Sequence, residues 1–248
     1  MKILVTAKRV TDPEMKIIIK SDGSGIELSS MKYKINPFDE IAIEEGLRIK
    51  EAKGGEVVIV SIGTEESQLE IRSGLSMGCD RGVLVVSDDN LDSDTVARIL
   101  FKVIEDEKPN LVLMGKQAVD IDDNQCAQLL AEYLGWGQAC FASKIDIDGT
   151  IAKVHREVDG GTEVVEIDLP GIISTDLRLN EPRYAKLPDV LKAKKKEIKK
   201  IFPAELGVDT TPKVVIKKFA KQPQRKSGRI VEDIAELVSA LKDEVKII

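Results

Sequence analysis

Four short apolar runs, separated by segments with helical periodicity, constrain the fold of this chain more than any other feature. The runs are residues 3–5, 57–62, 83–86 and 111–114; they are rich in β-branched side chains and almost free of charge. Runs of this kind are typical of parallel strands that helices cover on both faces. The first half of the chain therefore predicts strands of a parallel sheet.

Two helices are predicted between these strands. Residues 94–107 place apolar side chains at i, i+3, i+4, i+7 and i+8, with Asp92 and Ser93 as candidate caps. A second helix is predicted to begin at Asn36-Pro37, with Glu40, Glu44 and Arg48 on one polar stripe, and to end at Gly54-Gly55. Strands alternating with helices predict a doubly wound α/β domain, whose ligands bind beyond the carboxyl ends of the strands. The loops after Lys8, Ile62 and Met114 are therefore the places to look for a site.

The second half of the chain has a different pattern. Four further strands are predicted, at residues 140–147, 151–157, 163–167 and 171–175, with hairpin turns at residues 148–149 and 159–161. These turns predict antiparallel strands that extend or flank the sheet. We expect an α/β domain over residues 1–200. We expect residues 201–248 to form an extended arm that ends in an amphipathic helix, either clasping a partner chain or packing on its own domain.

Composition excludes several classes of function. The chain has 37 Lys and Arg against 43 Asp and Glu, a net charge of −6, so no global basic field favours nucleic acid. No run approaches the roughly 18 apolar residues of a membrane span, and the amino terminus lacks the layout of a targeting segment, so we expect a cytoplasmic protein. The three cysteines are widely spaced and form no C-x-x-C pair, so no cysteine-bound metal or iron-sulfur cluster is expected. His155 lies in an alternating stretch and is interpreted as a strand residue in preference to a general base.

The loop of residues 115–126 is the most informative segment for function. No G-x-G-x-x-G, Walker or G-x-S-x-G motif is present, but this loop leaves the fourth strand and opens a helix that ends near Leu134. Amides at a helix start can hold a phosphate; Asn124 or Gln125 offers polar groups, and Asp120 can accept from a sugar hydroxyl. A mononucleotide fits these parts. A divalent cation bound by the carboxylates of Asp120, Asp122 and Asp123 is one alternative, and a simply solvated acidic loop is another.

A second unusual segment spans residues 176–196. Leu187 is expected to be exposed just before a helical turn that begins with a proline and is crowded with lysines. One interpretation is a solvated basic helix. The other is a docking element in which Leu187 fills a partner's pocket while the lysines steer toward an acidic surface.

Through these and two further segments, the sequence resembles the beta subunit of the electron transfer flavoproteins over essentially its whole length. The resemblance is carried by residues 5–10, 36–42, 115–125 and 156–196. It implies a fold like that of the adenine nucleotide alpha hydrolases and a heterodimer in which the alpha subunit holds most of the contacts to FAD. The beta subunit would bury a structural AMP, with no catalytic residue of its own, in the bacterial cytoplasm.

The resemblance also implies site residues and partners. The AMP contacts would be Thr6, Asn36, Asp39, Ile62, Gly115, Gln117, Ala118, Asp120, Asp123, Asn124, Gln125 and Cys126. A recognition loop would map onto residues 175–197, with Leu187 as the anchor in an acyl-CoA dehydrogenase pocket and Tyr184, Pro188, Lys192 and Lys195 beside it. Lys192 and Lys195 match positions that are methylated in some members. Residues 201–248 would clasp the alpha subunit, and a quinone oxidoreductase would accept the electrons.

Two departures from the family pattern bear on the cofactor. A branch that bifurcates electrons from NADH holds a second FAD in place of AMP and typically shows a loop like D-G-D-T-A-Q. Residues 120–125 read D-I-D-D-N-Q here, which favours AMP. Pro13 stands where some members place an aromatic residue near the flavin, so no FAD contact is assigned at Asp12 or Pro13. From a different class, an ATP-binding hydrolase or stress-protein domain is an alternative, although no phosphate loop favours it.

Overall fold

The computed structural model describes residues 1–29, 31–225 and 227–248, so Lys226 of the predicted arm lies outside the described residues. The described residues fall into two compact units. One comprises Met1–Ile17 with Glu27–Ile216, and the other Ile18–Ile26 with Lys217–Ile248. The first unit continues past the boundary expected at residue 200, and the second includes an early segment that no sequence pattern indicated.

The first unit is built on a nine-stranded sheet with a separate two-stranded pair. Its strands are β1 Lys2–Thr6, β2 Arg9–Thr11, β3 Tyr33–Ile35, β4 Glu56–Gly63, β5 Arg81–Val86, β6 Leu111–Gly115, β7 Gly137–Asp148, β8 Ile151–Val158, β9 Gly161–Asp168, β10 Gly171–Thr175 and β11 Ile198–Ile201. The sheet order is β11-β5-β4-β1-β6-β10-β7-β8-β9, and β2 pairs with β3. Strands β11 through β7 in this order are parallel, whereas the β7–β8 and β8–β9 pairs are antiparallel.

Helices cover both faces of the sheet. They are α1 Pro37–Lys53, α2 Gln68–Met77, α3 Ser93–Glu107, α4 Cys126–Leu134 and α5 Leu187–Ala193, with a short 3-10 turn at Glu65–Ser67. Alternate residues of β1 point to opposite faces, so that Ile3 and Val5 pack in one apolar cluster and Leu4 in the other. The predicted doubly wound α/β fold is confirmed.

The ends of the two predicted helices follow local chemistry. Asp92 caps α3, because its carboxylate accepts from the backbone N–H of Thr95 at 2.9 Å. Helix α1 begins at Pro37, and Gly54 ends it with φ of 73°, a left-handed conformation that favours glycine. The polar stripe predicted on α1 needs a correction, because Glu44 is buried beneath Arg183.

Strands β10 and β11 also correct the sequence analysis. Residues 171–175 were expected to be antiparallel, but β10 lies between β6 and β7 and is parallel to both. All five of its residues are buried, since helices cover both faces at this central position. Strand β11 was not predicted, because its sequence is half lysine; it forms the edge of the sheet beside β5 and crosses the boundary expected at residue 200.

The second unit is small and mostly exposed. In it, the backbone N–H of Phe219 donates to the carbonyl of Gly23 at 2.9 Å. The predicted carboxyl-terminal helix is present as α6, Ile234–Ser239, and continues as a π-helix at Ala240–Val245. Asp233 caps α6 by accepting from the N–H of Glu236 at 2.8 Å. Among all described residues, no helix has the length and apolar character needed to cross a bilayer.

Candidate functional site

A cleft opens where the parallel strands β1, β4, β5 and β6 end. Its cavity has a volume of about 470 Å³, within the range of small-molecule sites. All twelve residues predicted to contact AMP line it: Thr6, Asn36, Asp39, Ile62, Gly115, Gln117, Ala118, Asp120, Asp123, Asn124, Gln125 and Cys126. The structure thus brings together residues that are more than 100 positions apart in the chain.

Asp39 holds the floor of the cleft together. Its buried carboxylate accepts from the Thr6 hydroxyl at 2.6 Å and from the backbone N–H groups of Lys8 and Gly115 at 2.9 Å each. Hydrogen bonds to a carboxylate are roughly twice as strong as those between neutral groups. Asp39 and Thr6 therefore fix the ends of β1 and β6, and their polar atoms are engaged within the chain.

Asn36 holds the loop of residues 115–126 against the start of α1. Its Nδ2 donates to the carbonyl of Gln117 at 2.8 Å, and its Oδ1 accepts from the N–H of Val119 at 3.2 Å. A Cβ on Gly115 would stand 2.7 Å from the Cβ of Phe38 and 3.0 Å from the Nδ2 of Asn36. Glycine is thus required where the loop leaves β6.

The acidic residues of this loop have polar partners, two of them outside the loop and one within it. Lys8 Nζ lies 2.8 Å from Asp120, the Ser93 hydroxyl donates to Asp123 at 2.9 Å, and the Gln117 amide contacts Asp122. Asp122 and Asn124 both have left-handed backbones, with φ of 58° and 50°. Within the described residues, no group of three or more His, Cys, Asp or Glu side chains is placed to hold a metal ion.

The start of α4 faces the cleft. Gln125 occupies the N-cap position and makes no side-chain capping hydrogen bond. The first amides of a helix have no partner within it and carry positive partial charge, so this end can receive an anion. Burial raises the pKa of the Cys126 thiol to about 12, helped by the nearby Asp39 carboxylate, so the thiol stays neutral.

Sequence reasoning missed one wall of the cleft. The polar loop 87–93 that follows β5 forms it. This loop lies beside Gly63 and Thr64, which belong to the predicted loop after Ile62 where a site was expected. The run Ser-Asp-Asp-Asn directly after the third apolar run carried the necessary signal. Its position at the carboxyl end of a parallel strand would have identified it.

The five residues expected to bind partner proteins lie outside the cleft, at and beside α5. Tyr184 is 97% exposed and Leu187 is 73% exposed. Pro188, Lys192 and Lys195 are exposed as well, and Lys192 pairs with Asp189 at 3.2 Å. His155 also lies away from the cleft, half-buried on β8 between Lys144 and Val164.

Comparison with known proteins gives a consistent result. Residues 26–206 match the family model of the electron transfer flavoprotein domain. The chain is 52% identical to electron transfer flavoprotein subunit beta of Bradyrhizobium diazoefficiens over the full length of both chains. It is 48% identical to the mitochondrial subunit beta of Arabidopsis thaliana over the full length of both, and 46% identical to the Homo sapiens subunit beta over 98% of this chain and 97% of the human one. This chain therefore belongs to the electron transfer flavoprotein beta subunit family.

Proposed function

We propose that this chain is the beta subunit of a heterodimeric electron transfer flavoprotein and that it holds AMP as a structural nucleotide. An alpha subunit would carry the redox-active FAD. The observation that carries the proposal is the cleft at the strand ends, where an uncapped helix start and a loop held by Asn36 face one cavity. The phosphate would lie at the start of α4, and Asn124, Gln125 and Asp120 would contact the phosphate and ribose.

In this proposal the chain's own residues bind and orient, and none performs a bond-breaking step. Asp39 and Thr6 stabilise the floor of the cleft, and Asn36 fixes the loop that would close over the nucleotide. The thiol of Cys126 has a raised pKa and is therefore not a nucleophile at neutral pH. Electron transfer would take place on the FAD of the partner subunit.

Mass spectrometry of the small molecules released by denaturing the purified heterodimer tests the nucleotide assignment. We expect one FAD and one AMP per heterodimer. Two FAD per heterodimer, with direct reduction by NADH, would establish the bifurcating type instead. Release of ADP or pyrophosphate from ATP by the isolated chain would support an ATP-binding hydrolase.

We further propose that the segment around α5 docks acyl-CoA or related dehydrogenases, with a quinone oxidoreductase as electron acceptor. Support comes from the exposure of Leu187 and Tyr184 and from the lysines around them. Apolar and aromatic side chains act as anchors at interfaces, whereas charges around them chiefly speed the encounter.

Leu187→Ala tests the docking role. Truncating an anchor side chain costs about 2 kcal/mol or more of binding, so KM for the heterodimer should rise at least about tenfold in dehydrogenase-dependent reduction. AMP and FAD contents should not change. Leu69→Ala is the matched control, since Leu69 is also exposed but lies on α2. Loss of bound FAD in Leu187→Ala would instead show a structural role.

A cytoplasmic location is the remaining part of the proposal. Fractionation of cells expressing the heterodimer tests it, and recovery in the periplasmic fraction would contradict it.

A further inference from the structure

The docking segment, defined here as residues 184–196, is attached to the α/β unit with little apolar packing. Every residue of this segment is described, and Ala193 is the one that is buried. Helix α5 within it has seven residues, too few to be stable alone. A cavity of about 510 Å³ lies between its first residues and helices α1 and α2. Polar contacts at its two ends must therefore hold it.

Arg183 fixes the amino-terminal end to α1. Its Nε lies 2.8 Å from Oε2 of Glu44, its Nη2 lies 3.1 Å from Oε1, and its backbone N–H also donates to Oε2 at 3.1 Å. The same guanidinium contacts both carboxylate oxygens of Glu51. Glu44 is 3% exposed, so its carboxylate is shielded from solvent, whereas the Arg183 side chain is 33% exposed. A planar guanidinium that engages two carboxylates allows one orientation of the chain.

The carboxyl-terminal end is fixed to α2 by a reciprocal pair of contacts. Arg72 of α2 donates from Nη1 to the carbonyls of Ala193 and Lys196, at 2.6 Å each. In return, the ammonium of Lys196 donates to the carbonyls of Leu75, in the last turn of α2, and of Cys79, just beyond the helix. Cations placed on the last carbonyls of a helix are favourable. The Lys196 side chain is therefore engaged with the end of α2, whereas Lys192 pairs with Asp189 inside α5.

We propose that Arg183, Arg72 and Lys196 are positioning residues that hold the docking segment in the conformation that presents Leu187 to a partner protein. The inference rests on the proposed docking role of Leu187. Two fixed ends, 13 residues apart, reduce the number of conformations that the segment must give up when it binds. Preorganisation of this kind raises affinity without adding a contact.

The consequence is a specific kinetic effect. Loosening either end leaves the exposed Leu187 side chain and the nucleotide cleft unchanged, so the rate of electron transfer within the docked complex is preserved. The population of segments ready to bind falls, which raises the apparent dissociation constant in proportion. KM for the heterodimer should therefore rise while kcat stays the same.

Glu51→Gln and Arg72→Gln test the two ends in the complete FAD-loaded heterodimer, with an acyl-CoA dehydrogenase that reduces the wild-type complex. Glu51 is largely exposed, so its replacement does not leave a buried unpaired charge. We expect each variant to raise KM about threefold to tenfold, with unchanged kcat, AMP and FAD. Glu105→Gln is the matched control, because Glu105 forms an equally exposed ion pair with Lys102 on α3. Arg183→Lys should lie between wild type and Arg183→Gln, since it keeps the charge but not the planar fork.

Combination with Leu187→Ala separates this inference from the docking proposal. If the ends act through the anchor, Glu51→Gln should raise KM no further in a Leu187→Ala background. An equal further rise in KM in that background would overturn the positioning role alone. The same conclusion would follow if Glu51→Gln and Arg72→Gln both kept the wild-type KM while Leu187→Ala raised KM. An unchanged KM in Leu187→Ala would overturn the docking role itself. Should Arg183→Gln fail to assemble, the milder Glu51 and Arg72 variants decide the question.

Discussion

Glu107, the last residue of α3, joins the starts of three parallel strands at the end of the sheet away from the cleft. Its two carboxylate oxygens accept hydrogen bonds from Nη1 and Nη2 of Arg81 at 2.9 and 2.5 Å. Lys2 Nζ lies 2.6 Å from Oε2 of Glu107. Arg81 also pairs with Glu56 at 2.8 Å. The hydrogen bond from Arg81, with a further contribution from Lys2, lowers the pKa of Glu107 to about 2 despite burial that opposes the shift.

This lowered pKa predicts how stability depends on pH. Because the pKa falls on folding, Glu107 stabilises the protein fully above about pH 4.5, and this contribution is lost as the pH falls toward 2. Glu107→Gln should lower the free energy of unfolding at pH 7 by at most about 3 kcal/mol, and the difference from wild type should shrink below pH 4.5. Urea unfolding of the isolated chain, followed by circular dichroism across this range, measures it. Glu105→Gln, which removes an exposed pair, should change stability little; a pH-independent loss in Glu107→Gln would contradict the argument.

At the scale of elements, the junction between α1 and the loop of residues 115–126 carries the next prediction. Asn36 stands at the N-cap of α1 but uses its side chain on the loop, with two hydrogen bonds. Asn36→Ala removes both, at about 1 kcal/mol each, so AMP should bind about tenfold to thirtyfold more weakly while the fold is kept. AMP content of the heterodimer after extended dialysis is the measurement.

Asn110→Ala provides the matched control for this loop. The Asn110 side chain accepts from the N–H of Lys2 at 2.8 Å, at the other end of the sheet. Asn110→Ala should lose this one hydrogen bond without losing AMP. Full AMP retention in Asn36→Ala would show that the loop does not need this attachment.

Elements whose ends depend on neighbouring residues could be predicted from the sequence, and elements that depend on distant ones could not. The cap at Asp92 and the proline start of α1 are local, and both were found. Strand β10 follows a hairpin in the chain but pairs in parallel with β6, a strand about 60 residues earlier. Strand β11 was not predicted because two of its four residues are lysines, although a charged strand suits a sheet edge.

In the candidate site, too, local features could be predicted from the sequence and contacts between distant residues could not. The loop after β6 could be located because a ligand is expected beyond the strand ends. The hydrogen bonds from Thr6 and Gly115 to Asp39 could not be predicted, because the three residues come from separate parts of the chain. Glu44 was placed on a polar stripe for a related reason: Arg183, which covers it, lies 139 positions later.

On the scale of the whole molecule, the two compact units differ in how their apolar side chains are covered. The first has a buried cluster on each face of its sheet. In the second, every residue of α6 is described and none is buried; Ile234 is 79% exposed and Leu237 is 43% exposed. Apolar patches of this kind mark interaction sites. The exposed apolar side chains of α6 favour the interpretation of the arm as a clasp on the alpha subunit.

Ile234→Asp combined with Leu237→Asp tests that clasp. Both side chains are exposed, so the double variant should leave the α/β unit folded, with an unchanged melting temperature for the isolated chain. Burying two such side chains at an interface is worth about 1.5–3 kcal/mol each, so the yield of alpha subunit that co-purifies with a tagged chain should fall at least about tenfold. Leu69→Asp, an equally drastic change of an exposed leucine on α2, should keep the wild-type yield. If the double variant recovered as much alpha subunit as wild type, α6 would lie outside the subunit interface, and its apolar residues would need another partner.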